Sequence, residues 1–135
     1  MLSNLIVHED RAKQLINFYG ILPPPLCLTD VDAAFEFHDI GYLFVEVKYN
    51  GKKLPVGQRK ILERLTRRLA STDAKAVSIV VDHNIVNPME SIMLCDCKVR
   101  EVYWGNIMCW KPPKKPCTAG EFINTYYNWL KKFDK

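Results

Sequence analysis

The chain has 135 residues, of which 48% are hydrophobic and 25% are charged, and its formal net charge is +4. This size and composition predict a single globular domain over residues 1–135 and exclude a disordered chain or a two-domain enzyme. The mild excess of basic residues permits nucleic acid as a partner without requiring it.

Neither a signal peptide nor a membrane segment is predicted. Residues 1–7 are too short and unflanked for a secretion signal, and no apolar run has the length of a membrane span. The five cysteines form no paired C-x-x-C framework, and an odd number in a non-secreted chain indicates reduced thiols. We therefore expect a cytoplasmic protein without a membrane partner.

The first predicted element is a helix that ends at Gly20, because Ala12, Leu15, Ile16 and Tyr19 recur at helical spacing. Three consecutive prolines then exclude regular structure and predict a stiff, extended linker.

The stretch after the prolines predicts a β-hairpin, since its two halves are rich in Val, Phe and Tyr and residues 38–41 have turn chemistry. A three-residue loop that ends in a left-handed Gly41 would place Asp32 opposite Lys48. Side chains alternate along a strand, so this register puts Asp32, Glu46 and Lys48 on one face. A two-residue loop would instead turn Asp32 to the other face.

Helical and strand patterns alternate along the rest of the chain. A second helix is predicted to begin at Leu54 and Pro55, and the apolar run 75–81 is predicted to be a buried strand parallel to the hairpin's second strand. The remaining predictions are one or two strands in 91–104, an unpaired basic loop at 110–116 and a closing helix with capping-box spacing from Thr118. The order αββαβ(β)α predicts an α/β fold, a mixed sheet flanked by helices.

Asp32, a gap of fourteen positions (46 − 32) and the Glu-X-Lys run at 46–48 resemble the PD-(D/E)XK nuclease superfamily. That group includes restriction endonucleases, archaeal Holliday junction resolvases and VRR-type nucleases. The Thr-Asp-Val-Asp run at 29–32 is similar to one in small proteins of phages and mobile elements, and Gln58 stands early in the next helix, as in the family. The resemblance covers roughly residues 8–82.

The resemblance implies a restriction-endonuclease-like three-layer core and a metal-dependent deoxyribonuclease, an endonuclease rather than an exonuclease. Asp32, Glu46 and the Val47 backbone carbonyl would hold Mg²⁺, with Mn²⁺ as a substitute. Glu9 and Asp30 are further candidate ligands. A solvated first-turn Glu and a turn-forming Asp are the alternative interpretations of these last two residues.

Lys48 would either position the attacking water or stabilise the transition state, and Gln58 would steady Lys48 or the water. For Gln58, a helix-terminal amide bonded to backbone is the structural alternative. Basic residues on the second helix and in flanking loops would contact DNA phosphates, although a solvated charged surface explains them as well. These candidate DNA-binding residues are Lys52, Lys53, Arg59, Arg64, Arg67, Arg68, Lys111, Lys114 and Lys115.

Two questions about partners stay open at this point. Tyr126, Tyr127 and Trp129 of the closing helix are interpreted as exposed aromatic surface that is compatible with a homodimer. The alternative function is a catalytically silent nuclease-like fold that binds DNA or protein as a modulator. Metal-dependent cleavage of DNA would distinguish the enzyme from this binding module.

Overall fold

The computed structural model describes residues 19–20 and 29–135. Its strands are β1 (Ala33–Phe37), β2 (Gly41–Tyr49), β3 (Lys75–His83), β4 (Lys98–Trp104) and β5 (Trp110–Lys111). The α-helices are α1 (Val56–Ala70) and α2 (Ala119–Leu130), and short 3₁₀ helices occupy Leu94–Asp96 and Lys131–Phe133. The predicted first helix, apart from its last two residues, and the proline linker lie outside the described residues. Within the described ranges, no helix is long and apolar enough to cross a membrane.

The strands form one mixed sheet in the order β1-β2-β3-β4-β5. The β2–β3 pair is parallel, and α1 supplies the crossover between these strands. The pairs β1–β2, β3–β4 and β4–β5 are antiparallel. The predicted α/β fold with a mixed sheet is therefore confirmed.

The two helices cover opposite faces of the sheet. One face of the central strands is apolar and packs against α2, where Tyr126 and Leu130 join the main core. On the other face, Val80 of β3 packs against Leu62 of α1. Because β3 is buried on both faces, it has the nearly continuous apolar sequence typical of a central parallel strand.

The loop of the β1–β2 hairpin is shifted by one residue from the predicted position. Phe37 pairs with Gly41, so the loop is 38–40, and the left-handed residues are His38 and Asp39 rather than Gly41. The ladder places Ala34 opposite Phe44, so each β1 residue pairs with a β2 residue two positions earlier in the chain than predicted. A shift of two residues preserves the face of each side chain, whereas a shift of one would reverse it.

Gly41 is required for packing and not for its backbone conformation. A Cβ atom at this position would lie 2.7 Å from the Tyr126 hydroxyl and would overlap a methyl group of Leu130. The close approach of α2 to the first residue of β2 therefore selects glycine here.

Three further predictions about local structure have different outcomes. The capping box at the start of α2 is confirmed, since Thr118 Oγ1 accepts from the Glu121 amide at 3.2 Å and Glu121 Oε1 accepts from the Thr118 amide at 3.0 Å. The basic loop was wrongly predicted to be wholly unpaired, because Trp110–Lys111 pairs with β4. The exposure predicted for Tyr126 is also wrong: its side chain is buried, and its hydroxyl donates to the Lys75 carbonyl.

Replacement of Gly105 by alanine is expected to lower the free energy of unfolding by about 1–3 kcal/mol, the usual cost of an overpacked core. Gly105 follows β4, and a Cβ there would overlap the Thr66 carbonyl of α1 and lie 2.5 Å from the Ala70 Cβ. Neither a helix carbonyl nor an alanine Cβ can move away by a side-chain rotation. Urea denaturation of Gly105→Ala and of the parent protein measures the difference.

Gly57→Ala is the matched control, since a Cβ at Gly57 in α1 has no neighbour within 4 Å. This variant is expected to be neutral or more stable by up to about 1 kcal/mol, because alanine is the better helix former. Equal effects of the two substitutions would contradict the close packing of α1 on Gly105.

Candidate active site

The carboxyl end of β2 and the residues that precede β1 bring three charged side chains together. Continuation of the observed ladder places Asp32 opposite Glu46, rather than opposite Lys48 as predicted. Asp32 Oδ2 accepts a hydrogen bond from the Val47 amide at 2.7 Å, which fixes the start of the hairpin against β2. Asp32, Glu46 and Lys48 share the face covered by α1, as the parity of the hairpin predicts.

Glu46 is the buried member of this group. Its relative exposure is only 4%, and Lys48 is the only other charged residue in β2. Its Oε1 atom is 3.5 Å from Lys48 Nζ. Burial of an ionised carboxylate is costly unless the charge is paired, so the Lys48 ammonium is the compensation that the described residues provide.

Lys48 is held by α1. Its Nζ donates to Gln58 Oε1 at 3.0 Å, and Gln58 lies in the first turn of that helix. Gln58 thus faces β2, and its partner is a side chain rather than the backbone. A neutral amide oxygen fixes the position of the ammonium without adding negative charge to the site.

The pKa of Glu46 is raised from its ordinary value of 4.5 to about 7. Desolvation by burial is the largest cause, and the neighbouring Asp32 carboxylate is the next. Lys48 acts in the opposite direction, both by its charge and by a hydrogen bond. The Lys48 ammonium therefore does not fully offset the cost of burying the Glu46 carboxylate beside the Asp32 carboxylate. The three side chains together carry more negative than positive charge.

This excess of negative charge makes the residues suited to a hard divalent cation. The N–H and C=O groups of one residue point to the same side of a strand, so the Val47 carbonyl is directed toward the β1 side, where Val47 N–H meets Asp32. Two carboxylates and a carbonyl are oxygen donors of the kind that Mg²⁺ prefers. Within the described part of the chain, no group of three or more His, Cys, Asp or Glu side chains could hold a metal.

The two further candidate ligands differ in what is known of their position. Glu9 lies outside the described residues. Asp30 is exposed, and the hydrogen bond from Thr29 goes to its backbone carbonyl. Asp32 is the carboxylate that contacts β2, so the geometry favours Asp32 over Asp30 as a ligand.

The nine predicted DNA-binding residues fall into two groups. Eight of them are exposed: Lys52, Lys53, Arg64, Arg67, Arg68, Lys111, Lys114 and Lys115. Arg59 is half-buried, with Nη2 3.0 Å from Glu101 Oε2 and its guanidinium 4.8 Å from the centre of the Trp110 ring. Glu63 of the same helix accepts a hydrogen bond from Trp110 Nε1 at 2.6 Å.

Sequence reasoning missed the residues that β4 contributes to this face. Val80 pairs with Glu101 but Val81 pairs with Val99, so Arg100 is an extra residue in a β-bulge. Arg100 Nη1 lies 3.2 Å from Asp82 Oδ1, and the consecutive residue Glu101 reaches Arg59 on the same face. Strict alternation assigns two neighbours to opposite faces, so no signal in the β4 sequence marked this pair.

Comparisons with protein-family models, with curated proteins and with solved structures give no match to this chain.

The free energy of unfolding without metal is expected to fall as the pH rises from about 5 to about 8. Glu46 has a higher pKa in the folded protein than in the unfolded chain, so between pH 4.5 and pH 7 the folded state retains a proton that the unfolded state has lost. The contribution of this group to stability is thus present at low pH and lost as the pH rises through the folded pKa. Its full extent is about 3 kcal/mol.

Glu46→Gln should remove this part of the pH dependence and be relatively more stable at pH 8 than at pH 5. Urea denaturation in EDTA at several pH values tests the difference between the two proteins. Glu90→Gln, which alters an exposed carboxylate in the loop after β3, should keep the pH profile of the parent protein. An identical profile for Glu46→Gln would show that Glu46 has no raised pKa.

Proposed function

We propose that the protein is a metal-dependent deoxyribonuclease with a restriction-endonuclease-like core, in which Asp32, Glu46 and Lys48 form the active site. The observation that carries this proposal is the buried Glu46 carboxylate, with Asp32 beside it and Lys48 Nζ at 3.5 Å. A structural ion pair needs one carboxylate for one ammonium. A second carboxylate at the same place costs stability and is explained by the need to hold a cation.

A bound Mg²⁺ lowers the pKa of a water and offsets charge that develops on a phosphoryl group. The chain's own residues have separate tasks around it. Asp32 and Glu46 supply negative oxygens, and the Val47 carbonyl supplies a neutral one. Asp32 also accepts a hydrogen bond from the Val47 amide, which fixes the Asp32 carboxylate relative to the Val47 carbonyl.

In this proposal Lys48 acts on the reacting phosphate. Two of its three N–H donors are accounted for by Glu46 and Gln58, and the third would donate to a water or a phosphoryl oxygen. A cation held by two fixed neighbours requires little reorganisation when negative charge develops in the transition state. Positioning of the water and stabilisation of the phosphoryl charge both follow from this one placement.

DNA is the proposed substrate because several exposed basic residues lie on the elements that surround the active site. Lys52 and Lys53 lie in the loop between β2 and α1, and Arg64 lies on α1, the helix that covers the active-site face. The positive end of the α1 dipole, with no acidic residue in the first turn, adds to the attraction for phosphate. Contacts of this kind give affinity without reading the base sequence.

Glu46→Gln should abolish Mg²⁺-dependent cleavage and weaken Mn²⁺ binding, because an amide brings no charge to the cation. Lys48→Ala should lower the cleavage rate by about 100-fold or more and leave Mn²⁺ affinity unchanged or higher, since an ammonium repels the ion. The measurements are cleavage of labelled duplex, single-stranded and branched DNA with Mg²⁺, Mn²⁺ or EDTA, and calorimetry with Mn²⁺. Circular dichroism verifies that each variant is folded.

The control is Glu90→Gln, which should cleave DNA and bind Mn²⁺ as the parent protein does. Wild-type Mn²⁺ affinity in Glu46→Gln, or wild-type cleavage by Lys48→Ala, would refute the proposed active site. Retention of DNA by the parent protein without cleavage under any metal condition would assign it to the binding-module alternative.

Replacement of Arg64, Arg67 and Arg68 together by alanine should weaken DNA binding equally for unrelated sequences. Three lost phosphate contacts would reduce the slope of log affinity against log salt by about 2–3 for duplex DNA. Fluorescence anisotropy over a range of salt concentrations, in EDTA, provides both quantities. The control replaces Lys131, Lys132 and Lys135 together by alanine, which removes the same charge from the C-terminal end of the chain. This variant should keep the DNA affinity and the salt slope of the parent protein. An unchanged slope in the arginine variant would assign those three side chains to solvent.

A further inference from the structure

We propose that a cleft beside the active site binds a backbone phosphate of the DNA strand next to the phosphate that is cleaved. The cleft has a volume of about 360 Å³. Its lining consists of Gly51, Lys53, Leu54, Arg59, Arg100 and Glu101. The proposal rests on the nuclease function above and adds a defined second contact to the same substrate.

The charge of the cleft selects an anion. Three of its lining side chains, Lys53, Arg59 and Arg100, are cationic. The carboxylates that face them are Glu101, which pairs with Arg59, and Asp82, which pairs with Arg100. Each carboxylate contacts its arginine through one guanidinium nitrogen, so N–H groups remain for a ligand, and the Lys53 ammonium is exposed.

The two arginines are held in position before any ligand binds. Arg59 is fixed by Glu101 at 3.0 Å and by stacking on the Trp110 ring at 4.8 Å. Arg100 is fixed by Asp82, whose Oδ1 also accepts from the Gly51 amide at 3.2 Å. Side chains ordered in this way lose less conformational entropy when they bind a phosphate than free surface lysines do.

The β-bulge in β4 lets two consecutive residues, Arg100 and Glu101, line the same cleft. Without the extra residue, alternation would direct Arg100 and Glu101 to opposite faces. Bulges often reorient a side chain beside an active site. Here the bulge places a cation and its neighbour's carboxylate on the face that holds Glu46.

The position of the cleft fits a neighbouring phosphate rather than a separate ligand. Asp82 of β3 is the pairing partner of Lys48, and Arg59 follows Gln58, which binds Lys48. Adjacent strands are about 4.8 Å apart and β4 is two strands from Lys48, but Arg100 reaches back to Asp82 of β3, the strand next to Lys48. This separation is on the scale of one nucleotide step along a DNA strand.

The test measures binding of a fluorescent single-stranded oligonucleotide in EDTA, where metal-dependent cleavage does not interfere. Arg100→Gln should weaken binding about tenfold, the expected loss of one charge-assisted contact, and reduce the salt slope by about 0.7. Lys132→Gln, a charge-matched change at the C-terminal end of the chain, should bind as the parent protein does. Arg59→Gln is the second variant if Arg100→Gln does not fold.

A cycle with modified DNA identifies the phosphate. Each phosphate of the oligonucleotide is replaced in turn by a neutral methylphosphonate, and binding is measured for the parent protein and for Arg100→Gln. One position should weaken binding to the parent protein but not to the variant. Equal losses in the two proteins at every position, wild-type affinity of Arg100→Gln, or no binding of the oligonucleotide by the parent protein would each overturn the proposal. If the cycle locates one phosphate but the parent protein cleaves no DNA with any metal, the phosphate site stands and the nuclease function fails.

Discussion

The burial of Glu46 in β2 is the constraint on which the rest of this face depends. A carboxylate with 4% exposure in a strand between β1 and β3 has little access to water, so the protein must supply its partners. Lys48 provides the charge, and Gln58 keeps Lys48 in place. The first turn of α1 is thereby tied to the carboxyl end of β2, and the hydrogen bond from Val47 to Asp32 ties the entry of β1 to the same point. The entry of β1, the end of β2 and the first turn of α1 therefore meet at one buried charge.

These partners leave the site incompletely compensated, which distinguishes it from a structural salt bridge. A buried pair that served stability alone would be improved by removal of the second carboxylate or by hydrophobic replacement of the whole cluster. The raised pKa of Glu46 shows that the folded protein tolerates a cost at this position. Elsewhere the same face is fully satisfied: Thr66 and Ser78 bond to each other at 2.6 Å, and among the described residues no buried side-chain polar atom lacks a partner. A deficit confined to one place on a well-satisfied face favours a functional explanation.

Much of the fold and the centre of the site could be predicted from periodicity, because the face of a strand residue depends only on its parity. That is why Asp32, Glu46 and Lys48 were placed together correctly even though the hairpin register was wrong by two positions. The loop position could not be predicted, since Gly41 is selected by Leu130 of α2, a contact between residues far apart in sequence.

Arg100 was missed for a related reason. A bulge breaks the alternation from which faces are inferred, and nothing in the β4 sequence marks it. The pairing of Trp110–Lys111 likewise depends on tertiary contacts, in which the Trp110 ring packs on Tyr103 and Arg59.

The face that holds Glu46 has an excess of negative charge at one place and an excess of positive charge at an adjacent place. At the β1–β2 side, two carboxylates outnumber the single ammonium of Lys48, and a cation is attracted there. At the β4 side, the three cations of the cleft outnumber the carboxylates of Asp82 and Glu101, and an anion is attracted there. Both places lie under the first turn of α1, where the unpaired amides of the helix terminus carry partial positive charge.

A phosphodiester chain is an anion at every nucleotide and needs a cation only where it is to be cleaved. The proposed substrate therefore matches both excesses. One phosphate would bind Asp32 and Glu46 through a metal ion, and the next phosphate would bind Arg59 and Arg100 directly. A small charged ligand of either sign would match only one of them, so the spacing of the two excesses favours a polymeric polyanion.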